Sequence, residues 1–168
     1  MKYNSIIYND TANGEGMRMS YFCQGCSIHC QNCFNIELQD FKGGKEFTNR
    51  ILEESLSVFE LFKNNYNGIT LIGGEIMDNV DFGLFVAREF KKRFSNKTIW
   101  IYSGYTFEEI IKSNALMLLL KLSDVLVDGK FIEELKDHTL IFRGSSNQRI
   151  IDVQKSLSEH KVVIYNNY

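Results

Sequence analysis

The sequence predicts an α/β fold, specifically a partial, open β/α barrel of about five parallel strands with covering helices. Short, nearly continuous apolar segments alternate with segments whose apolar residues have helical spacing, as in parallel sheets covered by helices. The chain has 168 residues, fewer than the roughly 250 of a closed eight-stranded barrel. Glycine or polar residues follow the predicted strands, where barrel enzymes place their active sites. We therefore expect a single domain, residues 1–168, with a site at the carboxyl ends of its strands.

Periodicity places the elements in a regular order along the chain. Apolar residues at helical spacing predict one helix over 47–67, with Thr48 or Asn49 as its N-cap, and a second over 81–94. A capping box formed by Thr106 and Glu109 begins a third helix, which is expected to end near Leu122. The predicted strands span 19–23, 69–72, 98–102, 124–128 and 140–143.

Charge and hydropathy exclude two classes of partner. Lys and Arg total 19 against 21 Asp and Glu, and the net charge of -2 is too balanced for the broad basic surface that nucleic acid requires. The longest apolar run, 115–120, is far shorter than the roughly 20 residues that cross a bilayer. The N-terminus also lacks the long apolar stretch of a signal peptide. We expect a cytoplasmic protein that binds neither nucleic acid nor membrane.

All four cysteines, Cys23, Cys26, Cys30 and Cys33, fall within eleven residues. Disulfides usually join distant segments in oxidising compartments, so this clustering disfavours a disulfide scaffold. Structural zinc sites usually bring two cysteine pairs together across about a dozen or more residues. A compact loop with gaps of two and three residues is more typical of iron–sulfur ligation. An iron–sulfur cluster is therefore the preferred interpretation, and zinc is the main alternative.

The spacing Cys26-x-x-x-Cys30-x-x-Cys33 resembles that of the radical S-adenosylmethionine (SAM) superfamily. The resemblance implies a 4Fe-4S cluster with three cysteine ligands and one open iron, which chelates the amino and carboxylate groups of SAM. An electron from the reduced cluster would then cleave the sulfonium C–S bond and yield a 5'-deoxyadenosyl radical. Cys23 is interpreted as a small buried residue of strand 19–23; the alternative is a fourth ligand, which would close the cluster and make an electron carrier. His29 is interpreted as a solvent-facing loop residue.

A glycine-rich motif follows the strand 69–72. By itself Gly73-Gly74-Glu75 could be a simple turn between a strand and a helix. Beside the cysteine loop, it resembles the Gly-Gly-Glu motif of the same superfamily, whose backbone and carboxylate meet the positively charged amino group of SAM. Ser103, which follows the next strand, is also assigned to cofactor binding.

Charged residues follow the later predicted strands. Asp128, Lys130 and Arg143 are candidate catalytic residues that could hold the SAM carboxylate or orient the backbone of a partner. The alternative interpretation is that they form a salt bridge or a solvated loop. The carboxyl ends of parallel strands meet at one end of a barrel, so we expect these residues to converge with the cysteine loop.

Longer stretches resemble the family of anaerobic ribonucleoside-triphosphate reductase-activating proteins, which are small glycyl-radical activating enzymes. The similarity runs from 13–14 through the cysteine loop to 99–105, 125–131 and 140–148. It implies that Asn32, Cys33 and Phe34 flank the adenosine side of SAM and that Gly74, with its two neighbours, contacts the methionine end. The implied activity is reductive cleavage of SAM and abstraction of hydrogen from a glycine near the C-terminus of the large reductase subunit. The electron would come from a flavodoxin-like or other one-electron donor.

Three departures from the family pattern concern loop rigidity more than ligation. Glu15 and Ile76 stand where prolines are expected, and Asn32 stands where the superfamily has an aromatic residue. The remaining alternatives are a four-cysteine electron-transfer module, a zinc-stabilised interaction domain and a radical SAM enzyme with a small-molecule substrate. The C-terminal stretch 150–165 is interpreted either as a docking surface or as a segment that packs against the open sheet edge.

Overall fold

A computed structural model describes residues 1–165, which build one open, mixed sheet of seven strands. The sheet order is β3-β1-β2-β4-β5-β6-β7. The strands are β1 (Lys2–Asp10), β2 (Arg18–Cys23), β3 (Lys45–Glu46), β4 (Gly68–Gly73), β5 (Thr98–Tyr102), β6 (Val125–Asp128) and β7 (Arg149–Asp152). The helices are α1 (Asn49–Leu61), α2 (Val80–Arg93), α3 (Phe107–Ile110), α4 (Asn114–Leu120) and α5 (Val153–Glu159). Short 3-10 helices cover Ile36–Leu38 and Glu133–Leu135.

Parallel pairing is confined to the middle of the sheet. β2, β4, β5 and β6 run parallel to one another, whereas β1, β3 and β7 pair antiparallel at the two sides. The parallel set thus holds four strands, where the sequence predicted about five. The four loops that leave the carboxyl ends of this set form one mouth, as expected of parallel strands.

The prediction of a strand over 140–143 is wrong. That stretch is an irregular loop in which Phe142 has a φ of 59°, outside the range of extended backbone. The last strand comes later, at Arg149–Asp152, and pairs antiparallel with β6. The nine-residue strand β1 was not predicted, because all its residues except Asp10 are half-buried or exposed and show no apolar alternation.

Helix boundaries follow local capping. Thr48 caps α1 by accepting a hydrogen bond from the Ile51 backbone N–H, and the capping box of Thr106 and Glu109 is confirmed at α3. The single helix predicted over 106–122 is wrong, since α3 ends at Ile110 and α4 begins at Asn114. No helix within residues 1–165 is long and apolar enough to cross a bilayer.

The sheet has a helix face and an inner face, because successive strand residues point to opposite sides. The helix face carries the main core, in which Met19, Tyr21 and Cys23 of β2 pack with apolar residues of the helices. The inner face carries Trp100 and Val127 in a small apolar cluster, together with buried polar side chains. Strand position therefore decides which side chains can reach a site on the inner face.

Arg18 is the largest buried charge on the inner face. Its guanidinium donates hydrogen bonds to Thr70 Oγ1 (2.8 Å) and Thr98 Oγ1 (3.0 Å), and to the carbonyl oxygens of Glu15, Ile69 and Thr98. It also lies 5.4 Å from the centre of the Trp100 ring, within cation–π distance. Burial lowers the pKa of Arg18 to about 10. Its hydrogen bonds to hydroxyl and carbonyl oxygens offset the cost of burying the charge.

The C-terminal segment packs over the same face. The Tyr165 backbone N–H donates to the Ile150 carbonyl oxygen at 2.9 Å, and the Tyr165 ring lies edge-on to Trp100. The Tyr165 hydroxyl donates to the Glu15 carboxylate at 2.8 Å. The loop that was expected to be less rigid for want of a proline is therefore tied to the sheet through Glu15. Residues 150–152 thus belong to the edge strand β7, and Ile164 and Tyr165 pair back onto it.

Candidate functional site

A cavity of about 300 Å³ opens at the carboxyl ends of the four parallel strands. Nine of the predicted site residues line it: Cys26, Cys30, Cys33, Phe34, Gly73, Gly74, Glu75, Ser103 and Arg143. Three others, Asn32, Asp128 and Lys130, do not line it. The predicted convergence at one mouth therefore holds for most of the residues.

The cysteine loop is shaped by backbone hydrogen bonds to the segment that follows it. The Gly25 and Cys26 N–H groups donate to the carbonyl oxygens of Leu38 (2.8 Å) and Gln39 (3.2 Å). The Gln24 side-chain amide donates to the carbonyl oxygens of Glu37 and Asp40. These bonds fold 24–40 into a closed loop that turns its cysteines toward the cavity.

Two residues of this loop adopt left-handed backbone conformations. His29 has a φ of 50° and Asn32 a φ of 53°, values that non-glycine residues adopt uncommonly. The exposed His29 pairs through Nδ1 with Gln39 Oε1 at 2.9 Å. The turn at Asn32 places Cys33 and Phe34 on the cavity wall while Asn32 itself faces solvent.

Cys23 lies on the other side of the sheet. It shares the helix face with Met19 and Tyr21, is fully buried and belongs to the main core. Burial raises the pKa of its thiol far above the ordinary value. Cys23 does not line the cavity, whereas the other three cysteines do so and are half-buried.

The three cavity cysteines have the chemistry that an iron–sulfur cluster needs. All are free thiols on one short loop with no carboxylate between them, and thiolates are the soft ligands that such clusters take. Burial raises the pKa of the Cys26 and Cys30 thiols, and ligation to a metal reverses this by removing the proton. Within residues 1–165, no three Cys, His, Asp or Glu side chains stand close enough to form a metal site unaided.

The glycine motif packs directly on this loop. Gly73 has a φ of 124°, and a Cβ on Gly74 would lie 2.3 Å from the Gly25 carbonyl oxygen. The Gly74 N–H donates to the Cys23 carbonyl oxygen at 3.0 Å, and the Glu75 N–H donates to that of Gly25 at 2.8 Å. Only glycine fits at Gly74, because the two backbones are in contact.

Glu75 and Ser103 line the cavity, but their polar atoms bond to the protein. Glu75 Oε1 accepts hydrogen bonds from the Met77 N–H (2.9 Å) and Ser103 Oγ (2.7 Å), and Oε2 accepts one from the Gly104 N–H (2.7 Å). The carboxyl is 2% exposed, and burial raises its pKa to about 7 despite these bonds. The pair joins the loop after β4 to the loop after β5.

Asp128 and Lys130 are corrections to the predicted catalytic set. Asp128 shares the helix face with Leu126, is 1% exposed, and accepts hydrogen bonds from Arg149 Nε (3.0 Å) and the Phe107 N–H (2.7 Å). It is therefore the buried half of an ion pair, which was the alternative interpretation from sequence. Lys130 is exposed and lies outside the cavity wall.

Arg143 lines the cavity because hydrogen bonds hold its loop against the end of β6. Gln148 Oε1 accepts hydrogen bonds from the N–H groups of Gly144 (2.8 Å) and Ser145 (3.1 Å), and Gln148 Nε2 donates to the Gly129 carbonyl oxygen (2.9 Å). Asn147 Nδ2 donates to the Lys130 carbonyl oxygen at 2.8 Å. The polar residues of 144–148 thus fold the loop back onto the end of β6.

Sequence reasoning missed Tyr102, Phe131 and Gln148, all of which line the cavity. Tyr102 could have been found by strand alternation, since it shares the inner face with Trp100. No local signal identifies Phe131 or Gln148, because their positions depend on how the loop 129–148 closes.

Known proteins are similar in sequence to this chain over most of its length. Residues 12–151 match the family described as a 4Fe-4S single cluster domain. The chain is 34% identical over 152 residues to the anaerobic ribonucleoside-triphosphate reductase-activating protein of Haemophilus influenzae, covering 89% of this chain and 97% of that protein. It is 34% identical over 150 residues to the protein of that name from Escherichia coli K12, covering 88% and 96%. The protein of that name from Enterobacteria phage T4 is 35% identical over 152 residues, covering 89% and 93%.

Proposed function

The chain belongs to the family of anaerobic ribonucleoside-triphosphate reductase-activating proteins, and from this premise we propose that it is a radical SAM enzyme. Its substrate would be the large subunit of the reductase, on which it generates a glycyl radical. One observation carries the proposal: Cys26, Cys30 and Cys33 face one cavity together with Gly73 and Gly74 at the carboxyl ends of parallel strands. Cys23 is buried in the core on the opposite face, which favours three ligands over four.

In this proposal Cys26, Cys30 and Cys33 would hold a 4Fe-4S cluster. When bound, such a cluster would supply one electron for cleavage of the sulfonium C–S bond of SAM, which would give methionine and the 5'-deoxyadenosyl radical that takes a hydrogen atom from the target glycine. The electron comes from an external one-electron donor such as a flavodoxin-like protein. The protein itself supplies position, hydrogen bonds and shelter from water.

The chain's own residues divide these tasks. The backbone of Gly73 and Gly74 forms the wall nearest the cysteine loop, where no side chain intervenes. Glu75 fixes that wall to Ser103 and Gly104, so we assign it a positioning role toward the methionine end of SAM. Phe34 is 88% exposed at the rim and offers an apolar ring for the adenosine side.

Exposure of the cysteines also bears on the conditions of function. All three are half-buried at an open mouth, so oxygen can reach a cluster held there. We therefore propose anaerobic function in the cytoplasm, where thiols stay reduced. Loss of iron from the protein in air is the expected result.

The test is anaerobic reconstitution with iron and sulfide, reduction, addition of SAM and assay of 5'-deoxyadenosine. Wild-type protein and Cys23→Ala should form the product, and Cys30→Ala should not. A glycyl radical signal on the large reductase subunit, seen by electron paramagnetic resonance, would exclude a small-molecule substrate. Loss of the cluster in Cys23→Ala would instead favour the four-cysteine electron carrier, and a colourless protein with one zinc would favour an interaction domain.

A further inference from the structure

We propose that Asp78 acts through the cysteine loop to keep the reduction potential of a cluster held by Cys26 low; this rests on the proposed function. Asp78 lies in the turn between the glycine motif and α2, and its side chain is half-buried. Neither the predicted site residues nor the lining of the cavity includes it. It therefore acts on the first cysteine of the loop and not by contact with SAM.

Asp78 is bonded to the backbone directly after Cys26. Its Oδ2 atom accepts a hydrogen bond from the Ser27 backbone N–H at 2.7 Å. Its Oδ1 atom accepts one from the Tyr105 hydroxyl at 3.0 Å, and that hydroxyl lies 3.3 Å from Ser27 Oγ. These bonds join the cysteine loop to the turn before α2 and to the loop after β5. They also fix the position of the carboxylate relative to the first cysteine.

The next residue, Asn79, binds the backbone directly before Cys26. It is the N-cap of α2, yet its side chain makes no capping hydrogen bond to that helix. Asparagine is among the preferred N-cap residues because its side-chain oxygen accepts from the first turn. Here Nδ2 instead donates to the carbonyl oxygens of Gly25 (2.9 Å) and Glu75 (2.8 Å). The turn thus lacks a local cap, while both of its polar side chains bind the cysteine loop.

Two effects of Asp78 would oppose reduction of a cluster bound through Cys26. Reduction adds a negative charge, and a fixed carboxylate nearby makes that addition less favourable. Hydrogen bonds to the sulfurs ease reduction, but the Ser27 N–H, which follows the ligand directly, is bonded to Asp78 and does not donate to a cluster. Both effects lower the potential. Reductive cleavage of a sulfonium requires a strong reductant, which a low potential provides.

The groups around Cys26 support the sign of this effect. Burial raises the pKa of the Cys26 thiol, and the negative charges of Glu75 and Asp78 raise it further. The backbone N–H groups of Ile28 and His29 lower the same pKa by hydrogen bonding to the sulfur. Both carboxylates therefore act on this sulfur. Glu75 belongs to the cavity wall, whereas Asp78 can be replaced without altering that wall.

The experiment compares Asp78→Asn with wild-type protein and with two control variants. Asp81 is an exposed carboxylate in the first turn of α2, so Asp81→Asn makes the same charge change nearby in the chain. Tyr105→Phe removes the hydroxyl that donates to Asp78 and leaves the charge in place. Each protein is reconstituted anaerobically with iron and sulfide. The cluster potential is then measured without SAM, at one fixed pH, by a redox titration followed by electron paramagnetic resonance.

We expect Asp78→Asn to shift the equilibrium about threefold toward the reduced cluster, which is about 30 mV for one electron. Asp81→Asn and Tyr105→Phe should match wild type. An unchanged potential in Asp78→Asn would overturn the inference. An equal shift in Asp81→Asn would also overturn it, because net charge would then be the cause. An equal shift in Tyr105→Phe would do the same, because loop geometry and not the carboxylate would then set the potential.

A second variant covers the case in which Asp78→Asn binds no cluster. Asp78→Ser removes the charge and retains an oxygen that can accept a hydrogen bond. If neither variant binds a cluster, Asp78 is required for ligation and the inference is wrong. The proposed function is judged separately, by 5'-deoxyadenosine formation in wild-type protein. A wild type that holds a cluster but forms no 5'-deoxyadenosine refutes the proposed function, and the potentials still decide the role of Asp78.

Discussion

The ion pair between Asp128 and Arg149 gives the sharpest test of the site assignment. The sequence analysis placed Asp128 among the candidate catalytic residues. In the structure its carboxylate accepts hydrogen bonds from Arg149 and from the first N–H of α3. We expect Asp128→Asn to lower stability strongly and to leave SAM cleavage per folded molecule unchanged. The amide keeps the shape of the side chain but replaces one acceptor oxygen with a donor that faces other donors.

The magnitude follows from burial. Asp128 is 1% exposed and its partner 32% exposed, so the cost should lie at the lower end of that for breaking a buried pair, about 3 kcal/mol. For a chain of this size, each kcal/mol shifts the melting temperature by about 2–4 °C, which predicts a fall of about 6–12 °C. The matched control is Glu108→Gln. Glu108 binds the same guanidinium but is 51% exposed, and its loss should cost less than about 1 kcal/mol.

The assays are thermal and urea unfolding of cluster-free protein under reducing, anaerobic conditions, combined with 5'-deoxyadenosine formation by the reconstituted variants. Each rate is divided by the folded, cluster-loaded fraction. An Asp128→Asn protein that is as stable as wild type but cleaves no SAM would refute the structural role and restore Asp128 to the catalytic set.

Three further predictions concern the cavity. After reconstitution, Cys30→Ala should retain no iron, whereas Cys23→Ala should retain it; iron analysis measures this difference. Cys23→Ala should lose only about 1 kcal/mol of stability in urea unfolding, because it removes one buried sulfur. Gly74→Ala should destabilise the protein by about 1–3 kcal/mol and weaken SAM binding, because its Cβ would meet the Gly25 carbonyl oxygen at 2.3 Å; urea unfolding and equilibrium dialysis measure the two effects. Burial raises the pKa of Glu75 from 4.5 to about 7, so the folded protein holds a proton that the unfolded chain releases, and stability should fall as the pH rises through this interval. Relative to Glu75→Gln, cluster-free wild type should lose up to about 3 kcal/mol between about pH 5 and pH 8; a parallel pH profile for the two proteins would contradict this.

The elements that could be predicted from sequence are those with strong local patterns. The cysteine spacing, the capping box at Thr106 and the periodic helices α1 and α2 depend on residues close together in the chain. The buried position of Cys23 on strand 19–23 is also confirmed, and strand alternation gives its reason, because Met19 and Tyr21 share its face.

The errors arose where a local pattern fits two structures. Val125, Leu126 and Val127 are all apolar, so the pattern of β6 cannot tell which face Asp128 takes. The apolar run at 140–142 resembles a strand, but long-range hydrogen bonds from Asn147 and Gln148 hold it in a loop. Contacts of this kind are decided by the closed fold and leave no periodic signal.

The closed cysteine loop has a consequence for how the protein matures. The three proposed cluster ligands lie within eight residues, and most of the hydrogen bonds that shape the loop come from 24–40. The facing walls come from 73–75, 102–104 and 129–148, which the ribosome makes much later. In the proposed function, the nascent chain would therefore present its iron ligands before the rest of the cavity is made. We expect iron content and SAM binding to be separate measures of maturation, so that a preparation loaded with iron can still fail to bind SAM.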